Sequence, residues 1–279
     1  MSGFSFTVSL VTYRHRLADI KKTVDGVLQS SCAKFFVIDN SACDELAKDL
    51  AGLNDERIEY IPQENLGFGA GHNVGIDRSL EGGFELHFIV NPDIEFLPGV
   101  MENIAGFMEK NPEIGMLMPR TNFPDGSLQK NCKFLPTPLD LISRRFFPEF
   151  MKRRRMHRFQ MQDFDHGSIL DVPYLCGCFL ALRSEAVKKC GKFDERFFMY
   201  PEDIDLTRRF FAGGFRTVYY PEVSVIHAHK RASYRNFRML WVHIVNMIRY
   251  FNKWGWIFDR ERVKINRKTV ELNHLRRIR

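Results

Sequence analysis

Between residues 5 and 119, apolar runs with strand character alternate with helical patterns, and that rhythm leaves few folds open. Strand-like runs cover 5–12, 34–39, 57–61, 86–91 and 114–119, and helical periodicity fills 16–30, 42–52, 69–79 and 99–110 between them. Strands that alternate with helices predict an α/β fold with a mostly parallel sheet and right-handed crossovers. The block 120–168 breaks the rhythm with Pro124, Pro136, Pro138 and Pro148 and a basic cluster from Lys152 to Arg155. It reads either as an excursion over a ligand site or as a solvated loop. Regular structure resumes with an apolar segment at Val172–Leu182, a helix at 184–190 and then a strongly acidic motif.

That motif, Phe197–Arg209, puts Glu202, Asp203 and Asp205 where a helix begins. The dipole and free N–H groups of a helix N-terminus hold carboxylates ionised, so a general base can be kept charged and aimed into a cleft. An ordinary N-cap with an acidic first turn has the same appearance. Upstream, the strand Leu86–Val90 runs into Asn91-Pro92-Asp93, placing the Asp93 carboxylate at the C-terminal edge of the sheet, where open α/β sheets bind ligands. One carboxylate there suits a Mg²⁺ or Mn²⁺ ion that keeps several waters and takes its other ligands from phosphates. A plain turn is an equal reading. In Val223–His229 the alternation separates His227 and His229 from apolar neighbours, and a histidine beside a carboxylate-bound ion is a further ligand candidate. A lone strand histidine is more often packed or at the surface.

At the other end of the edge, Asp39 closes the second strand and can offer a carboxylate to a base or ribose hydroxyl. Thr12 and Tyr13 close the first strand and can frame a base by backbone contact and stacking. The glycine-rich run Gly67–Gly75 follows the third strand, not the first, which disfavours a dinucleotide-binding dehydrogenase.

Val8–Tyr13, Val37–Ser41, Asn65–Gly75, Asn91–Asp93, Gly191–Leu206 and His227 occur in the order found in family-2 inverting glycosyltransferases. Over about residues 5–235 the chain resembles their bacterial rhamnosyltransferase-like branch, and six ordered motifs are far more specific than any one of them. The resemblance implies a GT-A type nucleotide-sugar-binding fold, Rossmann-like, with Mg²⁺ or Mn²⁺ and a single displacement. By the same likeness Asp203 is the base, with Glu202 as the alternative, and Asp205 with Arg209 orients the helix and site. Asp93, with His227, is matched to the metal. The implied donor site is Thr12, Tyr13, Asp39, Asn65, Gly67, Asn73, Asn91 and Arg209, the glycines allowing close packing under the donor sugar. Asn91 stands where many relatives carry Asp, a departure that weakens a two-carboxylate metal site but is usual in this branch. The implied donor is a dTDP or UDP sugar, with L-rhamnose from dTDP-rhamnose the best match. The implied acceptor is a hydroxyl of a growing, lipid-linked cell-surface glycan, and the block 120–168 is then expected to help select it.

Size and charge fit one such catalytic domain, expected at 1–233, plus a basic, aromatic helical C-terminal extension at 234–279. From Lys230 to Arg279 there are 14 Lys and Arg against 3 Asp and Glu, a net of +11, which leaves −4 for the first 229 residues of a chain whose total is +7. In the extension, Phe237, Leu240, Trp241, Ile244, Ile248 and Phe251 recur at helical spacing, with Arg238, Arg249 and Lys253 towards the other face. Such a helix either docks on the domain or lies in an anionic membrane surface, and Trp254–Phe258 amid Arg and Lys has interfacial character. An oligomer contact is left open. No apolar run approaches the roughly 20 residues of a membrane span, and no signal stretch opens the sequence. The expectation is a cytoplasmic protein attached peripherally to the inner face of a bacterial inner membrane. Six cysteines without repeated C-x-x-C spacing argue against a disulfide framework and a zinc module, and Cys176 and Cys178 read as small packed residues around Gly177. A nucleotidyltransferase would share the fold but needs a glycine-rich phosphate loop after the first strand. Nucleic-acid binding would explain the basic extension but not the acidic motifs, which repel phosphate backbones.

Overall fold

The computed structural model describes residues 3–140, 147–228 and 237–276 and, of residues 149–151 and 276, the backbone alone. Strands β1 (Phe6–Thr12), β2 (Lys34–Asp39), β3 (Ile58–Pro62) and β4 (Leu86–Val90) lie in the order β3-β2-β1-β4, all parallel. Helices α1 (Leu17–Leu28), α2 (Asp44–Ala51) and α3 (Phe68–Glu81) connect them, as the alternation of patterns requires. Beyond β4 come β5 (Ile94–Phe96), α4 (Val100–Lys110), β6 (Ile114–Asn122), β7 (Cys132–Lys133) and α5 (Glu149–Phe159). The chain continues through β8 (Leu170–Asp171), β9 (Tyr174–Leu175), β10 (Phe179–Arg183), α6 (Ser184–Cys190), α7 (Glu202–Ala212), β11 (Arg216–His227), α8 (Phe237–Trp254) and α9 (Arg260–Leu272).

The main sheet extends past β4 as β10-β6-β11-β5, with β8 on β11. β6 and β11 are parallel, but β10 lies between β4 and β6 antiparallel to both. The sheet is therefore largely parallel with one reversed strand near its middle. Its first half was legible because each βαβ unit is local, whereas the direction of β10 is fixed by pairing with strands some 60 to 100 residues distant. In the block 120–168, which carries no periodic pattern, the structure forms α5 and the short β7, which pairs with β9.

Both faces of the sheet are covered. Phe6, Val8 and Leu10 of β1 join Phe35, Val37, Phe88 and Val90 under Val24, Leu46 and Ile104 of α1, α2 and α4. On the opposite face Ile89, Met116, Leu180 and Leu182 pack against Ile76, Val187, Leu206 and Phe210 of α3, α6 and α7. β1 is apolar towards one face and polar towards α3. There Thr7 Oγ1 lies 2.7 Å from His87 Nδ1, and Ser9 Oγ lies 2.8 Å from His87 Nε2 and 2.7 Å from His72 Nδ1. Burial holds both imidazoles below the usual histidine range, so they form a neutral hydrogen-bonded seam.

The C-terminal helices belong to the core. Met247, Tyr250 and Phe251 of α8 and Ile265 of α9 cluster with Leu135, Phe159, Phe197, Ile204 and Phe211. Arg208 of α7, fully buried, makes a bidentate pair with Asp259 at 2.6 and 2.7 Å, its guanidinium 4.1 Å from the centre of the Trp254 ring. Asp259 also caps α9 by accepting from Arg262 N at 2.9 Å. Of the two readings of the extension, docking holds for the inner face of α8. Its membership differs from the pattern read in the sequence, because Asn246, Met247, Tyr250 and Phe251 turn inward while Phe237, Trp241, Ile244 and Ile248 stay exposed. The apolar stripe alone did not determine which side packs. The polar partners on the domain did, since Asn246 Nδ2 donates to Met199 O at 3.0 Å and Lys253 reaches Asp194 and Asp205.

Removing one member of a buried ion pair leaves the other uncompensated. Asp259→Ala is expected to cost about 3–5 kcal/mol of stability, read as a shifted urea-unfolding midpoint. A loss under about 1 kcal/mol would mean that α8 and α9 do not unfold with the domain.

Candidate active site

β4 ends at the loop that carries Asp93, and β5 then pairs antiparallel with the end of β11, setting Ile94 opposite His227. That register brings His227 Nε2 to 3.2 Å from Asp93 Oδ1. The far side of the ring is held by Gln129, whose Oε1 lies 3.1 Å from His227 Nδ1 and whose Nε2 donates to His227 O at 2.7 Å. Burial pulls the imidazole pKa down, but contact with Asp93 and Cys178 outweighs it and the pKa is raised to about 10, so the ring pairs with Asp93 as an imidazolium. Asn91 Oδ1 is buried without a partner among the described residues. His229 lies outside them.

These groups fit a divalent cation of the kind that relies on its substrate. Asp93 offers a carboxylate, and His227 would become a second ligand only where the ion takes the place of its Nε2 proton; no group of three or more His, Cys, Asp or Glu that could hold a metal occurs among the described residues. An ion held there would need its remaining ligands from a diphosphate and water, a requirement Mg²⁺ or Mn²⁺ would meet.

The second station is the start of α7. Asp203 Oδ2 accepts from Gly177 N at 3.0 Å and Oδ1 from Ile204 N at 2.7 Å. Burial raises the Asp203 pKa above the ordinary carboxylate range, while the charge of Lys133 and these N–H groups pull against it. Glu202 is also buried, with Oε2 lacking a partner among the described residues. Burial and the neighbouring Asp203 charge raise its pKa well above normal. Glu202 therefore holds the proton of the pair and Asp203 the charge. Lys133, on β7, lies 3.2 Å from Cys176 Sγ and 3.5 Å from Tyr174 OH, with Nζ 4.6 Å from the centre of the tyrosine ring.

One short segment joins the two stations. Between β9 and β10, Cys176 meets Lys133, Gly177 donates to Asp203, and Cys178 contacts His227 while its carbonyl accepts from Asn91 N at 2.9 Å. A Cβ on Gly177 would stand 3.3 Å from Asp203 Cβ and 3.5 Å from the Phe68 ring, so a larger residue would press on the carboxylate. Both cysteines pack against the core, as the sequence suggested, while flanking this contact, and all six cysteines are free.

The third group lines the edge at β1, β2 and the start of α3. Tyr13 is exposed, with the Arg14 guanidinium 5.1 Å from its ring centre, and leaves a face open for stacking. Asp39 lies at the same edge but is fully buried. Its Oδ1 accepts from Thr12, Ser41 Oγ and Ser41 N, and Oδ2 from Cys43 N at 2.7 Å and Tyr60 OH at 2.9 Å. Burial raises its pKa, but these donors outweigh it and the net shift is downward. A base or ribose hydroxyl would have to displace one of them. Asn65 Oδ1 accepts from Gly67 N at 3.2 Å. Gly67 has φ +106°, and its missing Cβ lets the Phe198 backbone come up against it, with Phe68 N donating to Phe198 O at 3.0 Å.

Two expected donor contacts are used inside the fold instead. Asn73 is buried, donating to Phe193 O at 3.0 Å and accepting from Phe193 N at 3.0 Å, so it clamps the acidic loop to α3. Arg209 binds Asp205 Oδ2 at 2.8 Å and the carbonyls of Cys190, Gly191 and Lys192, so its guanidinium is fully engaged away from the edge. Asp205, also fully buried, is held in addition by Lys253 and Trp254. Sequence reasoning missed Lys133 and Gln129, which sit in the block 120–168 where no motif marks them, and Asn40, whose Oδ1 accepts from Gln63 at 2.7 Å.

A largely parallel sheet with a carboxylate–histidine pair, a buried helix-terminal carboxylate and an exposed tyrosine near its edge is the arrangement of a GT-A fold, the fold of glycosyltransferases. The family model described as "Glycosyltransferase like family 2" matches residues 6–251, and the chain belongs to that family. Among curated relatives it is 32% identical over 145 residues to an N-acetylglucosaminyl-diphospho-decaprenol L-rhamnosyltransferase of Mycobacterium tuberculosis, covering 52% of this chain and 47% of that protein. The chain thus spans about half the length of the curated relatives it matches there. In fold it is similar to GalNAc-T7, solved with UDP, GalNAc and Mn²⁺, at TM-score 0.62 and 13% identity over 97% of this chain and 48% of that one. It is also similar to the mannosyltransferase PcManGT from Pyrobaculum calidifontis, solved with GDP-Man and Mn²⁺, at TM-score 0.57 and 14% identity over 97% of this chain and 75% of that one.

With Asp203 as the expected base, which must be ionised to accept a proton, its raised pKa should place the acid limb of the pH–rate profile above the ordinary carboxylate range. Asp203→Asn is expected to lower transfer by about 10²–10⁴ with donor binding changed no more than a few-fold. Lys133→Met removes the cation that lowers this pKa, so the limb should move to higher pH, and Lys133→Arg should restore it. An unmoved limb in Lys133→Met would leave that side chain a packing role.

Proposed function

We propose that the protein is an inverting hexosyltransferase that moves L-rhamnose from dTDP-rhamnose to a hydroxyl of a growing, lipid-linked cell-surface glycan. The observation that carries this reading is the placement of Asp203 and the Asp93–His227 pair on either side of the segment 176–178. Direct displacement needs a proton acceptor on one face of the sugar and charge compensation on the other, and the two stations supply those requirements. Asp203 takes the proton from the acceptor hydroxyl as its oxygen bonds to the anomeric carbon. The bond from that carbon to the nucleoside diphosphate breaks, and the electron pair leaves with the diphosphate. A cation bound at Asp93 and His227 would neutralise the charge that grows on the leaving group. Tyr13 stacks on the base of the nucleotide, and Gly67 lets the Phe198 backbone close against the start of α3. Lys133 faces the acceptor side, where its charge keeps Asp203 ionised.

The choice of rhamnose is supported by the mycobacterial relative, an L-rhamnosyltransferase whose N-acetylglucosaminyl-diphospho-decaprenol acceptor also supports a lipid-linked acceptor here. On this reading the enzyme works peripherally at the cytoplasmic face of a bacterial inner membrane, in polysaccharide assembly of the O-antigen kind. A nucleotidyltransferase would need a phosphate cradle after β1, where Tyr13, Arg14 and His15 stand instead.

Calorimetry with dTDP-rhamnose and with UDP sugars, each with Mn²⁺, Mg²⁺ or a chelator, tests the donor. Tightest binding of dTDP-rhamnose with a divalent cation is expected, and Asp93→Ala should weaken it and erase the difference made by the chelator. Preference for a UDP sugar would overturn the rhamnose assignment, and donor affinity indifferent to chelator in the wild-type protein would overturn the metal site.

A further inference from the structure

The inner face of α8 is taken up by the core, whereas among the described residues nothing packs over its outer face. Phe237, Trp241, Ile244 and Ile248 follow at i, i+4, i+7 and i+11, which on a helix of 3.6 residues per turn places them within about 60° of arc. All four are exposed, Phe237 by 88% and Trp241 by 66%. The turn after α8 prolongs the surface. Trp256 folds onto Phe251 with ring centroids 5.2 Å apart, and Ile257 and Phe258 project at 76% and 94% exposure. Asp259, locked to Arg208, anchors the turn directly behind them, so these side chains are held outward. A continuous apolar patch of this kind on a soluble domain marks an interaction site.

The charges beside the patch select the partner. α8 contains Arg238, Arg249 and Lys253 and no Asp or Glu. By the same helical geometry Arg238 and Arg249 fall about 100–120° from Phe237, along one flank of the stripe. Both are exposed, as are Arg260 and Lys264 after the turn. Bulky apolar and Trp side chains bordered by cations match a headgroup layer over acyl chains, with cations meeting lipid phosphates. No helix among the described residues is long and apolar enough to cross a membrane, so the fit is to a helix lying in the surface plane.

We propose that the outer face of α8 and the Trp256–Phe258 turn dock on an anionic lipid bilayer. The other side of the same helix holds the acidic loop. Asn246 donates to Met199 O at 3.0 Å, Arg249 donates to Arg196 O at 2.7 Å, and the His243 ring packs on Tyr200 at 4.7 Å. Docking therefore sets the loop that leads to Asp203 about one helix diameter, on the order of 10 Å, from the lipid surface. The use of that closeness for a lipid-linked acceptor rests on the proposed function, whereas the docking face does not.

Because α8 is part of the core, deleting the extension would test folding, and surface substitutions in the full chain are the proper probe. The wild-type protein should co-sediment with mixed phosphatidylcholine–phosphatidylglycerol vesicles at low salt, and less with pure phosphatidylcholine vesicles or at high salt. Trp241→Ser combined with Phe258→Ser should lower partitioning by about tenfold or more, and Arg238→Glu should weaken it on anionic vesicles only. Donor calorimetry should be unchanged in these variants, which reports an intact fold independently of lipid. Wild-type protein remaining in the supernatant with anionic vesicles, or a double variant that binds them as well as wild type, would overturn the proposal. So would a dimer abolished by the same double substitution without any lipid binding, since the occupant would then be a second copy. Vesicle binding without dTDP-rhamnose binding would leave the docking face standing and remove the donor assignment alone.

Discussion

The hydrogen bond from Gly177 N to Asp203 is the contact on which the geometry of the site turns. It exists because β10 enters the sheet antiparallel between β4 and β6, and the three residues before it must cross the sheet edge where the parallel strands end. At that crossing Cys176, Gly177 and Cys178 each touch a different part of the site, so strand pairing on one side of the segment fixes distances on the other. Pairing across a sheet is rigid to within fractions of an ångström, and a site referenced to it inherits that precision. The absent Cβ at Gly177 lets the carboxylate approach the backbone closely enough for a charge-assisted hydrogen bond.

A buried carboxylate cluster next to such a contact needs counter-charge, and the C-terminal helices provide it. Asp205 is fully enclosed yet bonded to Arg209, Lys253 and Trp254, while Lys253 also holds Asp194 at 2.7 Å. The Arg196 guanidinium and Lys253 hold the Asp194 carboxyl far below its usual range. These ties fix both ends of the loop 194–205, in which Tyr200 takes φ +94°. A bulky residue in that region costs of order 1–3 kcal/mol and persists only when its surroundings over-determine it. Here they do, through Met199 O on Asn246, Phe198 O on Phe68 N and the Tyr200 ring on His243. The extension is thus a scaffold for the acidic motif as well as a carrier of positive charge.

What the sequence disclosed follows from how local each feature is. Helix and strand periods extend over ten residues or fewer, so the βαβ half, the turn at Asp93 and the helix start at Glu202 were all legible. The reversed direction of β10, the helix α5 and the inward face of α8 depend on contacts across the fold that leave no period in the chain. The same holds for side chains. Asn73 and Arg209 stand in recognisable motifs, but a motif records that a residue is required and not what it bonds, and in the folded chain their polar atoms are used on Phe193 and on Asp205 with three carbonyls. Lys133 and Gln129 were invisible for the converse reason. Each comes from an irregular stretch and gains its meaning from Cys176 or His227, residues 43 and 98 positions away.

The neighbouring carboxylates Glu202 and Asp203 illustrate how the fold settles what a motif leaves open. Both sit at the same helix end and both are buried, so dipole and desolvation act on them alike. Their donors differ. Asp203 receives two backbone N–H groups and the field of Lys133, whereas Glu202 Oε2 has no partner among the described residues and feels the negative charge of Asp203. Two adjacent carboxyls in a low-dielectric site share their protons unequally, and the charge collects where hydrogen bonds stabilise it. Glu202 then serves Asp203 by staying protonated. A second charge beside Asp203 would push its pKa further up. The pairing of a bonded carboxylate with an unbonded carboxylic acid keeps one residue ionised, and it is the N–H groups of Gly177 and Ile204 and the charge of Lys133 that decide which one.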